Sequence, residues 1–389
     1  MTLHIGVCWQ EAHGRHASNV VDSPECHSIP HHPHSHDVIP PASKSQRGDS
    51  AAMLAGKSEN SARSPVRTAA AGTHNLTSLA VFAFGAFCAT LTVATAAEET
   101  IYAAPDSSLV MGLGYLRLKG NELVYSAAGN RISHLIWETD APVLTTGFKA
   151  ELVDNWTISA SAAIGFSGDS HMEDYDWTEP WGFGRGDWSH RSIHSHTDLD
   201  RYINLDIAAG RDFVINDATA INLHGGFKYT DVKWTAFGGS FTYSVDGFRD
   251  TTFHLPDSER GISYEQQYPG VFLGVEATTK FGNWTLSALL RSGVSVDAGD
   301  VDNHWHRKVR FEEEFSTLLF VSVGAKAIYQ VTDRVSLFLA GNLDRYFREK
   351  AEATEYDRST SPPRVNVGND FAGMDLYAFT LSSGFKFKF

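Results

Sequence analysis

The sequence predicts an all-β protein, a ten-stranded antiparallel transmembrane outer-membrane β-barrel. Three observations predict it. Long segments after residue 105 alternate apolar and polar side chains with a period of two. No segment there is apolar for long enough to cross a membrane as a helix. Short turns alternate along the chain with long polar connections. A period of two sends successive side chains to opposite faces of a strand. Short turns on one side, longer loops on the other and an even strand number describe a barrel that spans a membrane.

The segment ahead of the barrel reads as a leader. Residues 1–75 are an unstructured leader or an over-extended N-terminus, a Pro/His/Ser mixture followed by a Ser/Ala/Lys/Arg stretch with neither strand nor helix period. Its His27, His31, His32, His34 and His36 could hold a metal adventitiously. Met53, with Lys57, Arg63 and Arg67 behind it, is an alternative start. Residues 76–97 carry an apolar run from Leu76 to about Thr92 and then Ala94, Thr95, Ala96 and Ala97. That is the hydrophobic and cleavage region of a secretory signal; as a transmembrane helix it is short and lacks a positive flank after it. Cleavage near Ala96 or Ala97 leaves residues 98–389, roughly 292 residues, as the barrel. Cys8, Cys26 and Cys88 all leave with the leader, so no disulfide framework is expected.

The whole chain carries 32 Lys+Arg against 46 Asp+Glu, a net charge of −14. The leader holds equal numbers of each sign, so the acidic surplus belongs to the barrel. This balance argues against a nucleic-acid binder, which presents a basic surface. At 42% hydrophobic the chain is too apolar to be disordered throughout.

In chain order, short turns fall at 154–155, 215–217, 281–283 and 331–333. Long polar segments lie near 120–130, 168–200, 243–262, 297–314 and 346–372. Four short and five long connections join ten strands and put both ends of the barrel on the short-turn side. The outward faces are clearest late in the chain. One is Trp284, Leu286, Ala288 and Leu290; another is Val335, Leu337, Leu339, Gly341 and Leu343. The last strand shows Tyr377, Phe379, Leu381, Ser383, Phe385, Phe387 and Phe389. Trp284, Tyr268, Phe272 and Tyr329 suit the aromatic girdles at the two membrane interfaces. A soluble β-sandwich also alternates; the rhythm of connections favours the barrel, and closure removes exposed strand edges.

Two polar clusters end strands three and seven on the long-loop rim. In HMEDYDWTEP, Asp174 and Asp176 are two apart and point the same way on an extended strand. In DAGDVDNHWH, Asp300, Asp302 and His304 share the same spacing, with His306 next along. Carboxylates with an imidazole can bind zinc. They can also activate water for amide hydrolysis, a carboxylate orienting His304 while the imidazole accepts the water proton. Two close acids such as Asp174 and Asp176 resist joint ionisation, so one of them could share a proton. A merely solvated acidic rim is the competing reading at this level.

At these residues the sequence resembles the omptins, outer-membrane aspartate/histidine endopeptidases of Gram-negative bacteria. The resemblance runs from about 107 to 389 and is most specific at MEDYDW (172–177), GGSFTYSVDGFRD (238–250), PDSERGISY (256–264), DNHW (302–305) and the terminal GFKFKF. It implies a ten-stranded barrel extending above the outer membrane, with the active site facing outside. It implies catalysis by Asp174, Asp176, Asp302 and His304: an Asp302–His304 dyad with His304 as general base, and an opposing aspartate pair that holds the water. It implies no covalent intermediate, no cofactor and no metal. Glu122 and Asp300 match the acidic substrate-binding positions that favour Arg or Lys, including dibasic sites. Basic peptides or proteins are the implied substrates, and the implied form is a monomer.

The resemblance also implies lipopolysaccharide as an activating lipid, with Tyr229, Asp231 and Lys233 at three of its contact positions. These share parity with Ile221, Leu223, Gly225 and Phe227, a lipid-facing set. The chain departs from the family where Gln267 replaces an arginine, where no lysine matches at Glu313/Glu314, and where His190 stands at an acidic place while His194 keeps its match. Arg249, Asp250, Glu259 and Arg260 read as structural ion pairs or polar layers of the barrel. The alternative function is a non-catalytic outer-membrane adhesin or host-factor-binding barrel.

Overall fold

The computed structural model describes residues 107–181 and 186–389. The leader and signal expected over 1–97 lie outside the described residues. Eleven strands follow in order: β1 (Ser108–Tyr125), β2 (Arg131–Glu151), β3 (Trp156–Gly165), β4 (Asp169–Asp176), β5 (His190–Asn216) and β6 (Thr219–Tyr243). Then come β7 (Thr251–Phe281), β8 (Trp284–His304), β9 (Val309–Gln330), β10 (Val335–Asp357) and β11 (Arg364–Lys388). Each pairs antiparallel with its neighbours, and β1 closes the sheet by pairing with both β2 and β11. β3 and β4 both lie between β2 and β5 and form one barrel position. The wall therefore has the ten positions expected from the sequence. The break between β3 and β4 falls where the strand crowds β2: a Cβ on Gly168 would stand 2.3 Å from the Asp140 carbonyl oxygen.

The short turns lie where the sequence puts them, and Phe389 N donates to Ser107 O at 3.1 Å, bringing the two ends of the barrel together on that side. The expected long polar connections are largely strand instead. The true connections are 126–130, 177–189, 244–250, 305–308 and 358–363. Polar composition ends a strand only if the ladder hydrogen bonds are lost. Above a membrane both faces of a closed wall can be wet, so the ladder continues through polar sequence.

The outward faces follow the predicted parity. Leu286, Leu290, Leu337, Leu339, Leu381, Phe385 and Phe387 are exposed, as are Leu205, Leu223, Phe227 and Leu273 on other strands. A continuous apolar belt of this size needs lipid against it. Trp284 and Tyr329 meet at 5.0 Å between ring centroids on its short-turn edge, as a girdle requires. Tyr268 and Phe272 do not belong to a girdle. Both are buried inside, Tyr268 stacked on Tyr346 at 4.2 Å and Phe272 edge-on to His224 at 6.0 Å. Their neighbours Val271 and Leu273 take the lipid side, and the register of β7 shifts between Gln267 and Gly270.

Arg249, Asp250, Glu259 and Arg260 are also not a lumenal layer; they organise the rim. Arg249 donates to the carbonyls of Trp188 and Gly186 and lies over the Trp188 ring at 3.5 Å. Asp250 accepts from the N–H groups of Val245 and Asp246. Glu259 meets His306 at 3.5 Å, and Arg260 covers the Trp305 ring.

Inside, the barrel is layered. At membrane level a cavity of about 460 Å³ is lined by polar groups. Lys228, almost wholly buried, is held there by Asn204 at 2.8 Å and by Asp206 and Asp344 at 3.4 and 3.3 Å. Above it an aromatic plug crosses the lumen. Trp137 stacks on Trp234 at 5.9 Å and on Tyr264 at 5.8 Å, and Trp234 Nε1 donates to Thr139. Gly120 makes room for this plug, since a Cβ there would lie 2.8 Å from the Trp234 ring. The plug is the floor on which the mouth is built. Trp137→Ala is expected to destabilise the barrel by about 3–5 kcal/mol, read from urea unfolding of the detergent-solubilised protein.

Candidate active site

Two strand ends on opposing walls build the mouth. β4 occupies the third barrel position and β8 the seventh. On β4, Asp174 stands across from Leu135 of β2 and Ser192 of β5, and Asp176 across from Ser133 and His190. On β8, the alternation of Asp300, Asp302 and His304 puts all three on the inner side, where Asp302 pairs in register with Tyr264 of β7 and Phe311 of β9. Asp174, Asp176, Asp302 and His304 line one cavity of about 80 Å³, together with Glu122 and Glu313. The spacing arguments thus identified residues that the fold brings together.

His304 Nε2 lies 2.5 Å from Asp302 Oδ2, and Asp302 is 1% exposed. The two atoms are close but not aligned as a hydrogen bond, because neither Asp302 oxygen receives a donor at hydrogen-bonding geometry. On the ring's other side, Nδ1 is 3.4 Å from Arg307 Nη1, on the turn that follows β8. Phe311 packs edge-on against the imidazole at 5.6 Å and holds its plane. Opposite, Ser133 Oγ donates to Asp174 Oδ1 at 3.3 Å. Asp174 keeps part of its surface accessible although protein surrounds it closely. Burial pushes its carboxyl well above the usual range, and the neighbouring Asp176 adds to the effect. Asp174 therefore keeps its proton under conditions where an isolated aspartate would not.

Glu122, from β1, and Asp300 are both buried. Burial raises the Glu122 carboxyl well above its ordinary value, with Asp302, Glu313, Asp300 and Asp174 pushing the same way. Burial pushes Asp300 up to about 7, against the hydrogen bond that Tyr264 donates to its Oδ2 at 2.7 Å. Two rim histidines border the cavity. His190 is hydrogen-bonded through Nδ1 to Ser189 and Thr178. His194 shares a hydrogen bond with Ser192 at 3.0 Å, and burial lowers its pKa to about 4, leaving it neutral. It rests on the Gly238–Gly239 bulge, where both glycines have positive φ and a Cβ on Gly239 would lie 2.8 Å from its Nδ1.

Two residues at the mouth are not among the sequence candidates. Arg307 follows His304 by three positions in a turn whose shape is not legible from spacing. Glu313 was considered only as a counterpart of a lipid-side lysine. The register turns it inward, where it stands directly opposite Asp300, while Glu314 faces out.

On the outer wall, Asp231 and Lys233 join a network with Arg201 and Glu265. Arg201 reaches Asp231 at 2.8 Å and Glu265 at 2.6 Å; Lys233 meets Glu265 at 3.0 Å. Tyr229 contacts Asp231 at 3.5 Å, and Gln267 donates to Glu265 at 2.8 Å. Arg201, from β5, was missed by the sequence reading because it is adjacent only across the ladder. It supplies a cation to a patch in which Gln267 replaces one.

A closed barrel with an outward apolar belt and an acid–imidazole mouth defines a membrane β-barrel with titratable groups gathered at one end. Residues 104–389 match the model of the Omptin family, and the chain belongs to that family of outer-membrane proteases. It is similar to Protease 7 of Escherichia coli O157:H7, 26% identical over 308 residues, covering 76% of this chain and 94% of the relative. It is also similar to the plasminogen activator of Yersinia pestis, 26% identical over 295 residues, covering 73% and 90%. Among solved structures, the outer membrane protease OmpT from Escherichia coli shares the fold with a TM-score of 0.69 at 24% identity, covering 75% of this chain and all of that one. The chain is thus an outer-membrane barrel.

The bulge beneath His194 gives a structural test. Gly239→Ala is expected to cost about 1–3 kcal/mol of stability through its positive φ and the clash with His194, measured as a lowered urea midpoint with heat-modifiable gel mobility retained.

Proposed function

We propose that this protein is an endopeptidase that cleaves peptide bonds next to basic residues, at Arg/Lys and dibasic sites, using an activated water at the outside-facing mouth of the barrel. The observation that carries the reading is the Asp302–His304 contact at 2.5 Å, opposite Asp174 and Asp176 on one cavity. Asp302 holds Nε2 and offsets the charge that His304 gains when it becomes protonated. Nδ1 is then the base, and Arg307 flanks the place of the water. His304 takes one proton as the water oxygen bonds to the scissile carbonyl carbon. The proton held by Asp174 is hydrogen-bonded to the oxygen that becomes negative in the tetrahedral intermediate, with Asp176 beside it. As the C–N bond breaks, the leaving nitrogen takes the proton from His304, giving an acid and an amine. No acyl-enzyme forms and no metal takes part.

Glu122 and Asp300 are the acceptors for the basic side chain, favoured by burial in a cavity where charge pairing is little screened. Tyr229, Asp231 and Lys233, with Arg201, are the site for lipopolysaccharide, whose phosphates would meet Lys233 and Arg201 at the level where the apolar belt ends. The working form is a monomer of residues 98–389 after loss of the leader.

His304→Ala and Asp302→Asn are each expected to lower kcat by about 10²–10⁴-fold on a quenched Arg-Arg peptide, with the barrel verified as folded. No cleavage by the wild-type protein, with or without lipopolysaccharide, would sink the reading in favour of a non-catalytic binding barrel. Added lipopolysaccharide is expected to raise the rate, and Lys233→Ala to raise the lipid concentration needed by about fivefold, read from activation curves in detergent.

A further inference from the structure

Three buried carboxyl groups at the mouth, not two, carry an oxygen without a donor, and two of them, Glu122 and Glu313, line the cavity. Glu122 Oε2, Asp300 Oδ1 and Glu313 Oε2 are each buried and receive no donor. Glu313 is 4% exposed and Glu122 3% exposed, and both line the cavity. Glu313 and Asp300 are cross-strand partners on β9 and β8, so their carboxyls face each other. On the other side of Glu313, β10 offers only Ala353. Asp302 on β8, Glu122 on β1 and the Tyr264 hydroxyl on β7 complete its surroundings; Tyr264 donates to Asp300, not to Glu313.

Such a group cannot stay ionised cheaply. A buried carboxylate without donors loses its hydration with nothing in return, and several carboxylates in one desolvated space repel. Two facing carboxyls resolve this when one keeps its proton and donates it to the other. Burial and the neighbouring Asp300 raise Glu313 well above its ordinary value, and the hydrogen bond the two share raises Glu313 and lowers Asp300, so Glu313 is the donor and Asp300 the acceptor. Among the described residues no cluster of His, Asp and Glu converges in a way that would hold a metal ion. The unfilled acceptors call instead for an organic cation with several N–H groups. A guanidinium offers five N–H donors and a fixed positive charge.

We propose that Glu313 is a third, proton-carrying carboxyl of the substrate pocket, and that a cationic side chain entering between Glu122 and Asp300 displaces its proton to solvent. The inference rests on reading this cavity as the substrate site. Binding is then an exchange of one positive charge for another: the O–H of Glu313 breaks, the proton goes to bulk water, and the freed carboxylate accepts N–H groups of the incoming side chain. An uncharged side chain cannot make the exchange, because it brings neither the charge nor the donors. Selection for a basic residue is thereby built into the protonation of the pocket. The sign follows. A site that releases a proton on binding binds more tightly as pH rises, until the proton is already lost in the free protein.

The test uses the full refolded barrel and an Arg-Arg peptide made uncleavable by N-methylation of the scissile amide. Calorimetric titration at pH 6.5 in buffers of different ionisation enthalpy counts the protons released. The wild-type protein should release about half to one proton more per peptide bound than Glu313→Gln, whose remaining release comes from Glu122 and Asp300. With the cleavable peptide, Glu313→Gln should raise KM about tenfold at pH 7.5 and flatten its fall with pH, leaving kcat within about twofold. Glu314→Gln, on the outward face, should change none of these. Equal proton release by the wild type and Glu313→Gln, or no binding at all, overturns the inference. If Glu313→Gln fails to fold, the wild type alone decides: binding without proton release overturns it. Binding with proton release in a protein that cuts no peptide would remove the peptidase reading while leaving the pocket chemistry intact.

Discussion

Closure of the β1–β11 and β1–β2 ladders is the constraint on which the rest depends. In lipid every backbone N–H and C=O must be satisfied within the protein, and a closed barrel does this without an edge. The same closed ladder carries on above the lipid, where it no longer needs apolar side chains outside. That is why β7 can run from Thr251 to Phe281, through DSERGISY and then VFLGV, without interruption. One covalent pattern therefore supplies both an anchor and a rigid rim. The rim fixes where Asp174, Asp302 and His304 stand, because each belongs to a strand end held on both sides.

The aromatic plug is what allows the mouth to be chemically different from the lumen. Below it, Lys228 and Arg291 are matched to Asp206 and Asp344 in a roomy polar cavity. Above it, Glu122, Asp300, Asp302 and Glu313 crowd together, and among the described residues the one Lys or Arg lining their cavity is Arg307 at the rim. The Trp137–Trp234–Tyr264 stack is buried between the two levels and contributes the Tyr264 hydroxyl that donates to Asp300. Lumenal lysines therefore do not neutralise the carboxyls of the mouth.

Much of this was legible in the sequence because a strand has a period that can be read without a partner. The outward faces of β8, β10 and β11, the four short turns and the Asp-x-Asp and Asp-x-His pairs all depend only on alternation and local spacing. What alternation could not give was register. Glu313 and Arg201 acquire their neighbours only through the ladder, Glu313 from Asp300 and Arg201 from Asp231. Tyr268 and Phe272 were misjudged for a related reason, since aromatic residues suit a girdle and a lumenal plug equally well by composition. The long polar segments misled in the other direction: loop-like composition reflected water on both faces of the wall rather than the end of the strand.

The acidic surplus of the chain divides into two populations with different physics. The formal charge of −14 counts every Asp and Glu as ionised. Burial raises the carboxyls of Glu122, Asp174, Asp300 and Glu313, so the mouth itself carries less charge than the formula gives. Other acids of the upper wall and loops, such as Asp246, Asp257, Glu352 and Asp370, are exposed to water. On the proposed reading these exposed groups act at a distance. Their field draws basic peptides toward the rim over about a Debye length, and salt weakens it. The buried groups act only at contact, where desolvation makes each pairing strong and each mismatch costly. Attraction and discrimination are thus separated in space. A pocket filled with permanent charge would have to be kept solvated, whereas one that holds its protons until a cation arrives can stay dry and remain selective.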